Sequence, residues 1–201
     1  MSSKDLFMKL RSLSGKDLDD ALPALARLRI QVFEAFPYLY AGTIDYEQDY
    51  LRKFSAAKDA FIATAETDTG KIVGCATGSA ITNHHSEFAE PLVRAGIDLR
   101  STFYFGESVL LPDWRGHGIG HQFFDAREQH ARVHGYARTC FCAVERPADH
   151  PRRPVDYSPL DTFWNKRGYT KRPDISANFD WPEEHGGPSL PHIMHYWFHD
   201  L

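Results

Sequence analysis

The 201-residue chain is 42% hydrophobic and 25% charged, and no Pro/Ser/Gly linker divides it, so one domain spanning 1–201 with a full-sized core is expected. Its formal net charge of −4 gives no reason to expect nucleic acid or an anionic membrane as the main partner. No run approaches a membrane span and the N-terminus MSSKDLFMKLRSL has no apolar signal core, which makes a soluble cytoplasmic protein the default.

In chain order, Leu6 to Leu13 reads as an edge-like strand. Leu22, Leu25, Leu28, Ile30, Val32, Phe33 and Phe36 then support a helix, with Pro23 tolerable in its first turn and Pro37 ending it. Phe36-Pro37-Tyr38-Leu39-Tyr40 is an aromatic loop, and Asp45 to Ala57 is a second helix carrying Tyr46, Tyr50, Leu51 and Phe54. Ala60–Thr67 and Ile72–Ile81 flank the turn Asp68-Thr69-Gly70-Lys71 as a hairpin, and Ser86 to Arg94 is a short helix. Phe103 to Leu111 is a strand rich in aromatic and aliphatic residues, stopped by Pro112.

Ile119, Phe123, Ala126, His130 and Val133 follow at four-three-four-three spacing, which predicts a helix with one inward face. Arg138 to Glu145 is the next strand, and Cys140 and Cys142 on one face of it read as buried reduced thiols. PADHPRRPVDYSP, with four prolines, is a loop. Ser158-Pro159 opens a helix that Gly168 stops. Tyr169–Trp181 and His192–Phe198 are the closing strands, separated by PEEHGGPSLP.

Arg115-Gly116-His117-Gly118-Ile119-Gly120 joins the strand ending at Pro112 to the following helix. A strand, a glycine-rich turn and a helix N-terminus together make an anion site, because first-turn N–H groups are unpaired and glycines remove the Cβ atoms that would hold a phosphate away. The loop lacks the Gly-Lys-Ser/Thr of a P-loop, and its G-x-G-x-G spacing is not the dinucleotide fingerprint. The pattern Arg-x-x-Gly-x-Gly behind a hydrophobic strand resembles the acetyl-CoA pyrophosphate loop of the GNAT N-acetyltransferase superfamily. The order of elements resembles that family over most of the chain, and Phe163-Trp164-Asn165-Lys166-Arg167-Gly168-Tyr169 is similar to its late helix.

The resemblance implies an α/β fold with a mixed, mostly antiparallel central sheet flanked by helices. Its fourth and fifth strands, here Thr102–Leu111 and Arg138–Glu145, would splay apart to admit acetyl-CoA. It implies a cofactor site at Val109, Leu110, Leu111 and Arg115 to Gly120, with Arg115 adding charge and a backbone N–H near Val109 or Leu110 meeting the oxyanion. An acceptor pocket would be built from Phe36, Tyr38 and Tyr40, the acidic second helix (Asp45, Glu47, Asp49), Trp181 and Glu183-Glu184. The partner would be a small-molecule or peptide amine, and a homodimer is compatible with the family.

Acetyl transfer from a thioester to an amine needs a base, because an alkyl ammonium with a pKa of about 10 is roughly one part in a thousand neutral at pH 7. Glu107, eight residues before Arg115 and expected in the company of Phe103, Phe105 and Val109, is the candidate base. The same carboxylate could instead hold the substrate ammonium or serve a structural ion pair. Glu145 is the second candidate. The family often places a tyrosine four residues before the glycine that ends the late helix, to protonate the leaving thiolate. That position is Trp164 here, so either Tyr157 donates or the thiolate leaves without a dedicated acid.

His117/His121 and His130/His134 stand at i, i+4 and His84-His85 are adjacent, but there is no H-E-x-x-H and no Cys/His quartet, so no metal is expected. Two further readings stay open: a ping-pong route through Cys140 or Cys142, and a non-catalytic acyl-CoA-binding or sensing module.

Overall fold

Seven strands form one continuous sheet in the order β1-β2-β3-β4-β5-β7-β6. The computed structural model describes residues 8–57, 59–84 and 86–201, so Leu6 and Phe7 of the expected first strand, and His85, lie outside it. The strands are β1 (Met8–Ser12), β2 (Phe61–Thr67), β3 (Ile72–Ala80), β4 (Thr102–Leu110), β5 (Arg138–Val144), β6 (Thr170–Pro182) and β7 (Ser189–Asp200). Every neighbouring pair is antiparallel except β4 and β5, which run parallel. That pair is joined only at Thr102–Tyr104 against Arg138–Cys140. Beyond Tyr104 the two strands part, leaving the C-terminal half of β4 without a neighbour on that side. The mixed sheet and the splay are those expected from the sequence.

Helices α1 (Gly15–Phe33) and α2 (Ile44–Ser55) cover one face of the sheet, where Leu18, Leu22, Leu25, Leu28, Leu51 and Phe54 bury against Ile62, Cys75 and Val109. Helix α3 (Ser86–Arg94) packs beside β6. The opposite face carries α4 (Ile119–Val133) and α5 (Asp161–Lys166) over Phe61, Phe103, Phe105, Phe141 and Trp197.

Three expectations need correction. Helix α1 begins at Gly15, so Pro23 lies inside it rather than in its first turn. Both Pro23 and Asp19, whose carbonyl loses its hydrogen bond to the proline, are exposed, so water can take that carbonyl. Helix α5 begins at Asp161 with Leu160 at its cap and no side-chain cap bond, which leaves Ser158 and Pro159 in the loop. The inward face of α4 is Ile119, Phe123, Phe124, Arg127, Glu128 and Ala131, whereas Val133 is 70% exposed. The apolar spacing located the helix, but two charged residues share its buried stripe.

Candidate active site

The site is organised by an irregularity in β4. Gly74, Cys75 and Ala76 of β3 pair with Leu110, Val109 and Ser108, but Gly78 pairs with Phe105, so β4 carries one extra residue opposite Thr77. This is a β-bulge, and it reverses which side chains face which helices. Phe103 and Phe105 point to the α4 face, whereas Glu107 and Val109 point to the α1 face. Gly106 makes the bulge feasible, since a Cβ there would collide with Thr77 Oγ1. The Glu107 N–H donates to the same Oγ1 at 3.2 Å.

The bulge also fixes the backbone. The Leu111 N–H donates to Val73 O at 3.0 Å, so alternation turns the N–H of Val109 toward β3 as well. The N–H groups of Ser108 and Leu110 therefore face the β4–β5 gap. Val109 is thus no donor to the gap, and its side chain is fully buried beneath α1. Ser108 turns its N–H to the gap instead. Leu111 is likewise turned to β3.

At the end of β4, Pro112–Trp114 forms a short 3-10 turn. The Arg115 N–H is spent on Pro112 O at 3.0 Å, and its Nε donates to Leu110 O at 3.2 Å, so Arg115 can offer charge but not its amide. Gly116 (φ +81°) and Gly118 (φ +79°) are left-handed, and nothing lies within 4 Å of a Cβ built on either. Among the described residues, no N–H from Gly116 to His121 has a backbone acceptor. Gly118 caps α4 with no side-chain bond, so these donors lie beside the positive end of the helix, with open space where a Cβ would stand at Gly116 and Gly118. His117 is exposed in that loop, and Gly120 lies in the first turn of α4 against Phe163.

The model of the acetyltransferase (GNAT) family matches residues 29–155, which hold the bulge, the splay and the glycine loop. The chain belongs to that family. No curated protein sequence matches it. Among solved structures, a GCN5-related N-acetyltransferase from Kribbella flavida superposes with a TM-score of 0.61 at 14% identity, covering 96% of this chain and 98% of that one. Ribosomal-protein-alanine N-acetyltransferase from Brucella melitensis gives 0.61 at 13%, covering 96% and 99%. The protein yncA from Salmonella typhimurium, solved with its cofactor acetyl-CoA, gives 0.61 at 12%, covering 96% and 94%.

On the α1 face of this GNAT bulge, Glu107 is not in the aromatic surroundings that strict alternation predicts. Its carboxylate is ion-paired with Arg29 of α1, and the same guanidinium pairs with Glu47 of α2. All three side chains are at most 8% exposed. Tyr40 donates to the other oxygen of Glu47 at 2.8 Å, and the Arg29 guanidinium lies over the Tyr50 ring at 4.5 Å. Burial would push the Arg29 pKa down, but Glu107 and Glu47 more than offset it and hold it well above the ordinary value. Tyr40 is raised by burial and then by Glu47, which keeps it a donor. Two carboxylates on one guanidinium leave one formal negative charge in excess.

The other acceptor candidates separate. Burial raises the Tyr38 pKa, with Cys142, Glu107 and Tyr157 adding to the rise. Its carbonyl is clamped by Arg146 Nη2 at 2.8 Å and Trp181 Nε1 at 3.0 Å. Trp181 and Glu183 are therefore occupied in holding the loop, because Glu183 takes Arg146 at 2.7 Å. Phe36 packs edge-on against Tyr157 at 4.7 Å, with the Arg153 guanidinium 4.7 Å from the Tyr157 ring. Glu145 goes elsewhere. It faces the α4–α5 side with Lys171 at 2.8 Å and His195 at 3.1 Å, and the Lys171 hydrogen bond holds its pKa below the ordinary value. Glu145 therefore lies across the sheet from Glu107, away from the α1 side of the bulge. Trp164 packs on Phe141 and Trp197, each at 5.0 Å, and has no acidic proton to give.

Among the described residues no group of three or more His, Cys, Asp or Glu is gathered to hold a metal, and no helix is long and apolar enough to cross a membrane.

Proposed function

We propose that the protein is an acetyl-CoA-dependent N-acetyltransferase that moves the acetyl group directly to a primary amine. The observation that carries this reading is the splay of β4 from β5 beside the unpaired N–H groups of 116–121, in a chain of the GNAT family. The loop fits a pyrophosphate: open left-handed glycines, a helix N-terminus and the Arg115 charge. When bound, acetyl-CoA supplies the acetyl thioester, and the N–H groups of Ser108 and Leu110 offer donors along the gap.

The amine nitrogen bonds to the acetyl carbon, the C–S bond breaks, and the electron pair leaves with sulfur. The excess negative charge shared by Glu47 and Glu107 favours an ammonium at the α1 side of the bulge. Glu107 is the carboxylate there that takes the first proton from the ammonium, freeing the lone pair for attack, and the second proton, lost once the C–N bond has formed, goes to the departing thiolate. Negative charge building on the acetyl oxygen meets the Ser108 N–H. Direct transfer is favoured over an acyl-cysteine because burial pushes the Cys142 thiol up to about 12 and Cys140 well above its ordinary value.

The decisive experiment is thiol release from acetyl-CoA across a panel of amines, amino acids, aminoglycosides and peptide N-termini. Turnover with any acceptor supports the enzyme. Tight acetyl-CoA binding with no turnover on any of them favours the second reading, an acyl-CoA-binding or sensing module, for which Trp164 at the expected acid position is the supporting observation.

A further inference from the structure

Arg127 is 1% exposed, on the buried stripe of α4, and its guanidinium enters the sheet at the β4 bulge. Nη1 donates to Thr77 O at 3.2 Å and to Glu107 O at 3.0 Å, Nη2 to Ser108 Oγ at 2.6 Å, and Nε to Phe123 O at 3.2 Å. The rings of Phe105 and Phe124 lie 4.1 Å and 4.9 Å from it. Among the described residues no carboxylate stands within ion-pair distance. Glu107 is held by Arg29 on the far face, and Glu128 is held by Arg167 at 2.9 Å and Tyr169 at 3.3 Å.

A buried cation without a counter-ion is costly, and a neutral amide would suffice to satisfy the two carbonyls that the bulge removes from the ladder. What the arginine adds is charge. Burial lowers its pKa to about 10, with Tyr169, Glu107, Cys75 and Glu128 raising it from longer range, so it stays protonated at neutral pH.

The peptide between Glu107 and Ser108 connects this charge to the gap. A trans peptide points its C=O and N–H in opposite directions. With Glu107 O turned to Arg127, the Ser108 N–H points into the β4–β5 gap. A cationic donor on the carbonyl withdraws electrons through the peptide and makes its N–H a stronger donor. We propose that Arg127 is a positioning residue that polarises the Glu107–Ser108 peptide and locks its direction, so that the Ser108 N–H stabilises negative charge on the acetyl oxygen. The proposal rests on reading the gap as the thioester site. It links the helix that meets the pyrophosphate to the peptide that meets the carbonyl.

The test compares wild type with Arg127→Gln and Arg127→Met, using acetyl-CoA labelled with carbon-13 at the carbonyl. The bound wild-type carbonyl band should lie at lower infrared frequency than in free acetyl-CoA. In both variants that displacement should shrink and kcat should fall at least about tenfold, less than the loss of a whole oxyanion donor, while acetyl-CoA affinity stays within about twofold of wild type. A merely structural role would lower the melting temperature and leave the band where it was. Folded variants that keep both the band displacement and kcat overturn the proposal.

If neither variant folds, amide NMR on the wild type decides. The Ser108 N–H proton should move further than that of Leu110 when acetyl-CoA replaces CoA, because only the acetyl carbonyl differs, and an unmoved Ser108 overturns the proposal. Wild type that does not bind acetyl-CoA at all would sink the thioester-site reading itself. Wild type that binds and turns over, with variants indifferent to Arg127, sinks only this inference.

Discussion

Arg29 and Arg127 reach the β4 bulge from opposite faces of the sheet, and each is almost wholly buried. Arg29 meets two carboxylates and its pKa is driven up. Arg127 meets carbonyls, a hydroxyl and aromatic faces, and burial drives its pKa down to about 10. One face of the bulge is thus net acidic and the other net basic, with a single peptide between them. That polarity matches the chemistry proposed: an ammonium to be bound and deprotonated on the α1 side, and an oxyanion to be stabilised from the α4 side.

The largest effect should come from breaking the acidic side. Arg29→Met leaves Glu47 and Glu107 buried with no cation between them, a loss of about 3–5 kcal/mol. Arg127→Met leaves no orphaned carboxylate, only unpaired carbonyls and a hydroxyl, and should cost about 1–3 kcal/mol. Urea unfolding measures both. Equal losses would mean that the two arginines are not differently neutralised and that the polarity of the bulge is illusory.

How much of this contrast the sequence discloses depends on what encodes it. The glycine loop, α4 and the splayed strands are legible because periodicity and turn residues act locally. The bulge is not, because it is a mismatch of registry between β3 and β4 that moves every later side chain to the other face. Its one visible signal was Gly106 inside an otherwise bulky strand. The arginines had a signal too. Arg29 continues the Leu22–Leu25 stripe, Glu47 sits on the Leu51–Phe54 stripe, and Arg127 falls between Phe123 and Ala131, so each is a charge on an apolar face. Such a position calls for a partner, but the partner comes from another element and periodicity cannot name it.

The second effect addresses function on the acidic side. Glu107→Gln keeps the shape and removes the basicity, so kcat at neutral pH should fall about a hundredfold or more, with acetyl-CoA affinity barely changed. The deficit should narrow as rising pH supplies neutral amine. Should KM for the amine rise instead with kcat held, the carboxylate binds the ammonium and another group takes the proton. Unchanged kinetics would leave Glu107 as a counter-ion of Arg29 alone.

A smaller effect sharpens the basic side. His130 of α4 lies against Phe61 and Phe103, with Nε2 against Asp59 O at 3.1 Å, and burial holds its pKa below the ordinary value. The unfolded chain binds a proton at His130 near pH 6.5 and the folded protein does so only at lower pH. Stability is therefore complete above that value and declines as pH falls through it toward the folded pKa. His130→Gln should lose less melting temperature than wild type between pH 7.5 and 5.5. Parallel pH profiles would mean that burial on this face does not disfavour the charged imidazole.

The smallest effect is expected at Tyr157, the hydroxyl that sequence reasoning set against Trp164. Its ring meets Phe36 edge-on and lies under the Arg153 guanidinium, and burial raises its pKa despite the nearby guanidinium. A raised pKa makes a phenol a poorer acid toward a thiolate, and Tyr157 packs on Phe36 of the loop from which the acceptor pocket is expected. Tyr157→Phe keeps the ring and its packing and removes only the O–H. Turnover should stay within a few-fold of wild type, short of the hundredfold or so that losing a general acid typically costs. Any change should appear in KM for the amine, through the Phe36 loop, and not in the pH dependence of kcat. A hundredfold fall in kcat with KM unchanged would instead return the proton to Tyr157 and put the leaving thiolate within its reach.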